Sequence, residues 1–257
     1  MTIVVFDIDG VVRDVSGSYR RALADTVEHF THGAYRPSSE QIDALKGEGS
    51  WNNDWEASQE LIYRYFEEQG KPRETVGKQY EAIVAFFQSR YRGPDPTHWT
   101  GYICQEPLLM SPECLVQLTQ AGIKWGFFSG ATTGSARYVL ERRLGLPSPI
   151  LVAMEDAPGK PAPTGLFQTI DLLDSPPDAP VIYVGDTVAD MYTIANARAL
   201  QPDRAWIAVG VLPPHVLDGG ERQDAYAATL KQAGATVVFH SVQDLTPVQV
   251  QMLSAAR

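Results

Sequence analysis

At 257 residues the chain has room for one large domain, or for a core domain with a smaller companion. Its 44% hydrophobic content supports a real core and excludes general disorder. A formal net charge of −10 excludes a typical nucleic-acid binder, which needs clustered Lys and Arg, but leaves room for a small anionic substrate beside a metal or local cations.

The first element is an apolar run, Val4-Val5-Phe6, that reads as a buried strand and ends in Asp7-Ile8-Asp9-Gly10. Residues two apart in a strand share a face, so the two carboxylates lie close where the backbone leaves the sheet. Like charges held that closely call for a divalent metal or a shared proton, and both point to catalysis. The stretch 16–102 follows with no convincing strand. Leu61, Ile62, Tyr65 and Phe66 form one helical stripe, and Val76, Tyr80, Ile83, Phe87 and Tyr91 another. These stripes read as helix-packing core. Asn53 with Glu56 resembles a capping box, and Gly93-Pro94-Asp95-Pro96 closes the block.

Strand signals then resume. Lys124-Trp125-Gly126-Phe127-Phe128 leads into Ser129-Gly130, Ile150 to Met154 precedes an acidic turn, and Val181-Ile182-Tyr183-Val184 runs into Gly185-Asp186. Trp206-Ile207-Ala208-Val209 is a weaker candidate, and Thr236 to Phe239 reads as an edge. Helical patterns separate them. One starts at Ser111-Pro112-Glu113 and is closed by Gly122; the next ends at Leu144-Gly145. Strands alternating with helices imply a parallel sheet covered on both faces, with ligands at the carboxyl ends of the strands.

Cys104 and Cys114 are the only cysteines, without CxxC spacing, and five histidines accompany them; neither a zinc site nor a disulfide framework is expected. No basic and apolar leader opens the chain and no apolar run approaches membrane-spanning length. The expectation is a soluble cytoplasmic protein with no membrane partner. Oligomeric state has no signal in the sequence.

Four patterns fall in order: Asp7-Ile8-Asp9-Gly10-Val11-Val12-Arg13-Asp14, Ser129 after a strand, Lys160-Pro161-Ala162-Pro163, and Gly185-Asp186-Thr187-Val188-Ala189-Asp190. In this order the set resembles the motifs of the haloacid dehalogenase superfamily, in the subfamily with a helical cap between the first and second motifs, which includes phosphoglycolate phosphatase and β-phosphoglucomutase. Each motif alone arises often by chance; an acid pair can cap a turn, and Asp186 with Asp190 can be a solvated helix face. The four together in order carry the signal.

The resemblance implies an α/β fold, a Rossmann-like parallel sheet core with helices on both faces (1–15 and 103–257) and an inserted all-helical cap (16–102) whose closure excludes water. It implies a Mg²⁺-dependent phosphatase acting on a small phosphorylated metabolite. Asp7 would be the nucleophile and Asp9 the acid and base. Asp7, the main chain of Asp9, Asp186 and Asp190 would serve the metal, and Ser129, Gly130 and Lys160 the phosphate. In the cap, 46–55 combines two glycines that permit a tight turn with two tryptophans, two asparagines and a lysine, making Lys46, Trp51 and Asn52 the substrate candidates. The family's usual Thr-Leu after the first glycine is Val11-Val12 here. The arginine that follows the Lys-Gly pair in sugar-phosphate members is missing, which counts against sugar-phosphate specificity. A phosphomutase or a non-catalytic binding protein on the same fold are the rival readings; Asp9 argues against a dehalogenase.

Overall fold

Ile3–Phe6 (β1) lies inside a six-stranded sheet of order β3-β2-β1-β4-β5-β6. The other strands are Lys124–Phe128 (β2), Leu151–Val152 (β3), Val181–Gly185 (β4), Trp206–Val211 (β5) and Val237–Phe239 (β6), and every pairing is parallel. The computed structural model describes residues 2–48, 51, 53–77, 79–217 and 219–255. Two units are distinguished: Met1–Asp14 with Pro107–Arg257, and Val15–Glu106.

In the first unit the sheet is covered on both faces, as a parallel sheet with crossover helices must be. Ile3 and Val5 share one layer with Leu166 and Ile170 of the helix Thr164–Leu172, and with Met191 and Ile194 of the helix Val188–Leu200. Val4 and Phe6 alternate to the opposite face, and all four side chains of β1 are 0–2% exposed. This is why the strand reads as a continuous apolar run rather than an alternating one.

Phe6 pairs with Phe127 on one side and with Val184 on the other, so β1, β2 and β4 end nearly level. The chain runs outward from β1 through β2 to β3, then crosses back to β4. The change of direction therefore falls between β1 and β4, where open α/β sheets hold ligands.

Several local expectations change in detail. The 150–154 strand shrinks to Leu151–Val152, because beyond it the Ala153 amide turns to donate to Asp156 Oδ2 and the Met154 amide to the Ala131 carbonyl. The weaker candidate at Trp206 is a full strand, all six residues buried between β4 and β6. Ser111 sits at the helix start but makes no side-chain cap, its hydroxyl facing Cys114 Sγ instead.

The second unit contains the helices Tyr19–Phe30, Ser39–Gly47, Asp54–Glu68, Arg73–Val76 and Tyr80–Tyr91, and no strand among its described residues. The stripes meet inside it: Leu61, Ile62, Ile83, Phe87 and Tyr91 are buried beside Leu23 and Val27, and Tyr19 stacks on Tyr91 at 4.3 Å. Asn53 caps through its own side chain, accepting from the Trp55 and Glu56 amides. Among the described residues no helix is long and apolar enough to cross a membrane.

Candidate active site

The turn after β1 is built by one carbonyl. Ile8 O accepts from the amides of Val11, Val12 and Arg13, and the Gly10 amide donates to Arg13 O. Gly10 has φ +77°, a left-handed conformation that only glycine adopts without strain. A Cβ there would also meet Asp186, so the turn and the end of β4 lie backbone against carboxylate.

Asp7, one residue past β1, is 6% exposed. Its Oδ1 accepts from the Ile8 amide at 2.7 Å and from Lys160 Nζ at 2.9 Å. Lys160 arrives from the segment after β3 and also reaches Asp190 Oδ1 at 2.6 Å. Asp190 is fully buried in the first turn of the helix Val188–Leu200. Its Oδ2 accepts from the Thr187 amide and hydroxyl, completing a capping box, while Tyr183 Oη donates to Oδ1 at 3.1 Å. Asp190 is thus both a helix cap and the residue that orients the lysine.

Asp7, Asp186 and Asp190 each offer an oxygen, all within 4.8 Å of one another. Three buried carboxylates face one ammonium, and the electrostatics record the imbalance. Burial, then repulsion from Asp190 and Asp9, pushes the Asp7 carboxyl up to about 7 against the pull of Lys160. Burial followed by the charges of Asp190 and Asp7 lifts Asp186 well above the carboxylate range. Burial alone would lower the Lys160 ammonium, but Asp190 and Asp7 outweigh it and hold the proton more tightly than usual. An all-oxygen, net-negative buried cluster has the chemistry of a site for a hard divalent cation such as Mg²⁺.

Ser129, immediately past β2, is fully buried; its Oγ accepts from the Ala131 amide at 3.1 Å, which leaves the hydroxyl proton to donate. Gly130 is exposed, with open space around its Cα, and among the described residues its amide has no acceptor. Asp9 is not one of the three clustered carboxylates; it pairs with Arg13. Glu155 accepts from the Thr133 amide and hydroxyl at 2.8 Å, so it anchors the helix Thr133–Arg137.

The candidates in 46–55 lie in the helical unit and are bound to acids there. Lys46 Nζ pairs with Asp54 Oδ1 at 2.7 Å, and Trp51 Nε1 donates to Glu48 Oε2 at 2.9 Å. Hydrogen bonds from Arg64 and then Trp51 hold the Glu48 carboxyl down at about 2. Asn52 falls outside the described residues.

Sequence reading missed Arg13, Tyr183 and Thr187. Tyr183 is marked only as a polar-tipped residue inside an apolar run, Arg13 by its place after Val11-Val12 and beside Asp14, and Thr187 by its three-residue spacing from Asp190.

The sequence profile of the haloacid dehalogenase-like hydrolases matches residues 1–198. The chain belongs to this family. Among solved structures the chain resembles the phosphonoacetaldehyde hydrolase-like protein of Oleispira antarctica, with a TM-score of 0.69 and 19% identity over 100% of this chain and 95% of that one. It also resembles phosphatase Tt82 of Thermococcus thioreducens, with a TM-score of 0.65 and 23% identity over 88% and 99% of the two chains. At these identities the likeness concerns the fold. A curated relative, the imidazoleglycerol-phosphate dehydratase of Phytophthora nicotianae, is 29% identical over 244 residues. The match covers 92% of this chain, which spans only about half, 49%, of the relative.

Proposed function

We propose that this hydrolase is a Mg²⁺-dependent phosphatase that removes the phosphoryl group of a small phosphorylated metabolite through an aspartyl phosphate on Asp7. The observation that carries the reading is the placement of Asp7: buried at the switch point, held by Lys160 through one oxygen, and within 4.8 Å of the Asp186 and Asp190 carboxylates.

Asp7 attacks phosphorus; the new O–P bond forms as the ester O–P bond breaks and its electron pair leaves with the ester oxygen. Asp9 gives that oxygen a proton. Water then attacks the phosphorus of the acyl phosphate, returns a proton to Asp9, and frees Asp7 and inorganic phosphate. Ser129 and the Gly130 amide donate to the phosphoryl oxygens, and Lys160 adds a positive charge beside them and the nucleophile. Asp7, Asp186 and the main-chain carbonyl of Asp9 would hold Mg²⁺, with Asp190 closing the cluster. Bound there, the ion supplies charge neutralisation between the attacking carboxylate and the phosphate dianion.

Purified protein with p-nitrophenyl phosphate and Mg²⁺ tests this. Turnover that vanishes in Asp7→Asn supports the assignment, and full turnover by that variant refutes it. A screen of phosphorylated metabolites addresses the substrate. The name of the curated relative puts imidazoleglycerol phosphate in that screen, beside phosphoglycolate and the sugar phosphates.

A further inference from the structure

Among the described residues Arg13 is the largest fully buried side chain, yet it carries a charge. A buried guanidinium is costly unless a carboxylate meets it, and Asp9 is a carboxylate that does so. Arg13 Nε donates to Asp9 Oδ1 at 2.7 Å and Nη2 lies 2.6 Å from the same oxygen. Both contacts converge on Oδ1. Asp9 Oδ2 takes no hydrogen bond from the described residues, and the side chain is 27% exposed. The guanidinium is therefore not forked across the carboxylate. It pins one oxygen and leaves the other without a hydrogen bond from the described residues.

The clamp has a rigid base. The turn through Ile8 O folds Arg13 back beside Asp9, and the two residues form a short parallel bridge. The next residues are fastened in turn, the Asp14 amide to Pro107 O and the Leu109 amide to Val12 O. Arg13 cannot drift without moving this seam, so the bearing of the Asp9 carboxylate is set by the backbone that carries the arginine. Proton transfer to a departing oxygen is steep in geometry, and a carboxylate free to rotate spends little time aimed at it.

We infer that Arg13 is a positioning residue: by holding Asp9 Oδ1 it aims Oδ2 at the leaving-group oxygen, so that this oxygen carries the proton handed over when the ester bond breaks. The inference rests on the phosphatase reading above. It assigns to Arg13 a role exerted through Asp9.

The test is the dependence on leaving group. Because kcat/KM reports only the steps up to departure of the leaving group, it isolates the proton transfer that Oδ2 performs. p-Nitrophenolate departs without a proton, whereas phenolate, the stronger base, gains from one. Phenyl and p-nitrophenyl phosphates have nearly the same shape, so their ratio removes general losses of binding or folding. Arg13→Met is expected to lower kcat/KM for phenyl phosphate at least about tenfold further than for p-nitrophenyl phosphate, and Arg13→Lys to recover part of that gap. Equal losses on the two esters, or no recovery with lysine, would overturn the assignment. Should Arg13→Met fail to fold, Arg13→Lys is measured in wild-type and Asp9→Asn backgrounds. The lysine substitution should widen the phenyl gap in the first and leave it unchanged in the second; a gap that widens equally in both refutes the proposal. Failure of wild type to hydrolyse either ester would instead bring down the phosphatase reading itself.

Discussion

A Cβ placed on Gly10 would lie 2.0 Å from Asp186 Oδ2. The glycine of the first motif and the acid of the last, far apart in sequence, are thus in direct contact across the sheet switch point. Gly10→Ala combines that collision with a φ of +77°. The expected result is a loss of about 1–3 kcal/mol in stability and at least a hundredfold drop in kcat/KM, because Asp186 must move. Chemical denaturation and assays across a Mg²⁺ titration check it.

Metal should stabilise this protein more at high pH. Asp7 is pushed up to about 7 and Asp186 is raised as well, so between the ordinary carboxyl value and about pH 7 the folded state holds protons that the unfolded chain has released. A raised folded value means that this contribution falls as pH rises through the window. Mg²⁺ replaces those protons, so the rise in Tm on adding it should be larger at about pH 8 than at about pH 5. Differential scanning fluorimetry reads this directly, and equal shifts at the two pH values would count against the metal site.

Tyr183→Phe keeps the ring between Phe128 and Lys160 but removes the hydroxyl that donates to Phe128 O and Asp190 Oδ1. The expected cost is about 1 kcal/mol in stability. A fall in kcat larger than any change in KM is expected with it, since Asp190 orients Lys160. Thermal melts and steady-state kinetics separate the two effects.

Gly165 packs flat against a ring, with its Cβ position 2.2 Å from Phe128 Cε2. Gly165→Ala should cost about 1–3 kcal/mol through overpacking in the buried layer. Gly130→Ala, with nothing within 4 Å of the added carbon, should leave the unfolding midpoint within about 0.5 kcal/mol of wild type. Urea unfolding of the pair measures the contrast.

Lys46→Ala and Trp51→Ala test the substrate role proposed for 46–55. If these side chains contact substrate, each should raise KM about tenfold or more for the preferred ester and change p-nitrophenyl phosphate kinetics little. If they serve only Asp54 and Glu48, Tm falls and KM stays.

The sequence made the candidate site legible because three of the four motifs lie at the end of a strand, where an apolar run stops at a polar group. Asp7, Ser129 and Asp186 could be found that way, since a buried strand followed by a carboxylate or hydroxyl is a local pattern. The parallel α/β sheet was legible for the same reason: strands buried on both faces leave continuous apolar runs with helices between them. Strand lengths were less clear at the sheet's far side, where pairing decides them. Trp206–Val211 gains its two extra residues from β6, and 150–154 loses its last two to a turn held by Asp156.

What no local pattern contained was which charge meets which. Nothing in Val12-Arg13-Asp14 says that the arginine folds back to one oxygen of Asp9, or that Tyr183 spends its hydroxyl on Asp190. The motif picks out Lys160 but not its carboxylate partners; the fold brings it between Asp7 and Asp190. By itself the sequence determined the elements, their order and the residue types at strand ends, because short-range periodicity and turn chemistry set those. Only the tertiary structure decided the ion pairs and the depth at which the carboxylates lie, because those depend on which strand ends the parallel register holds level.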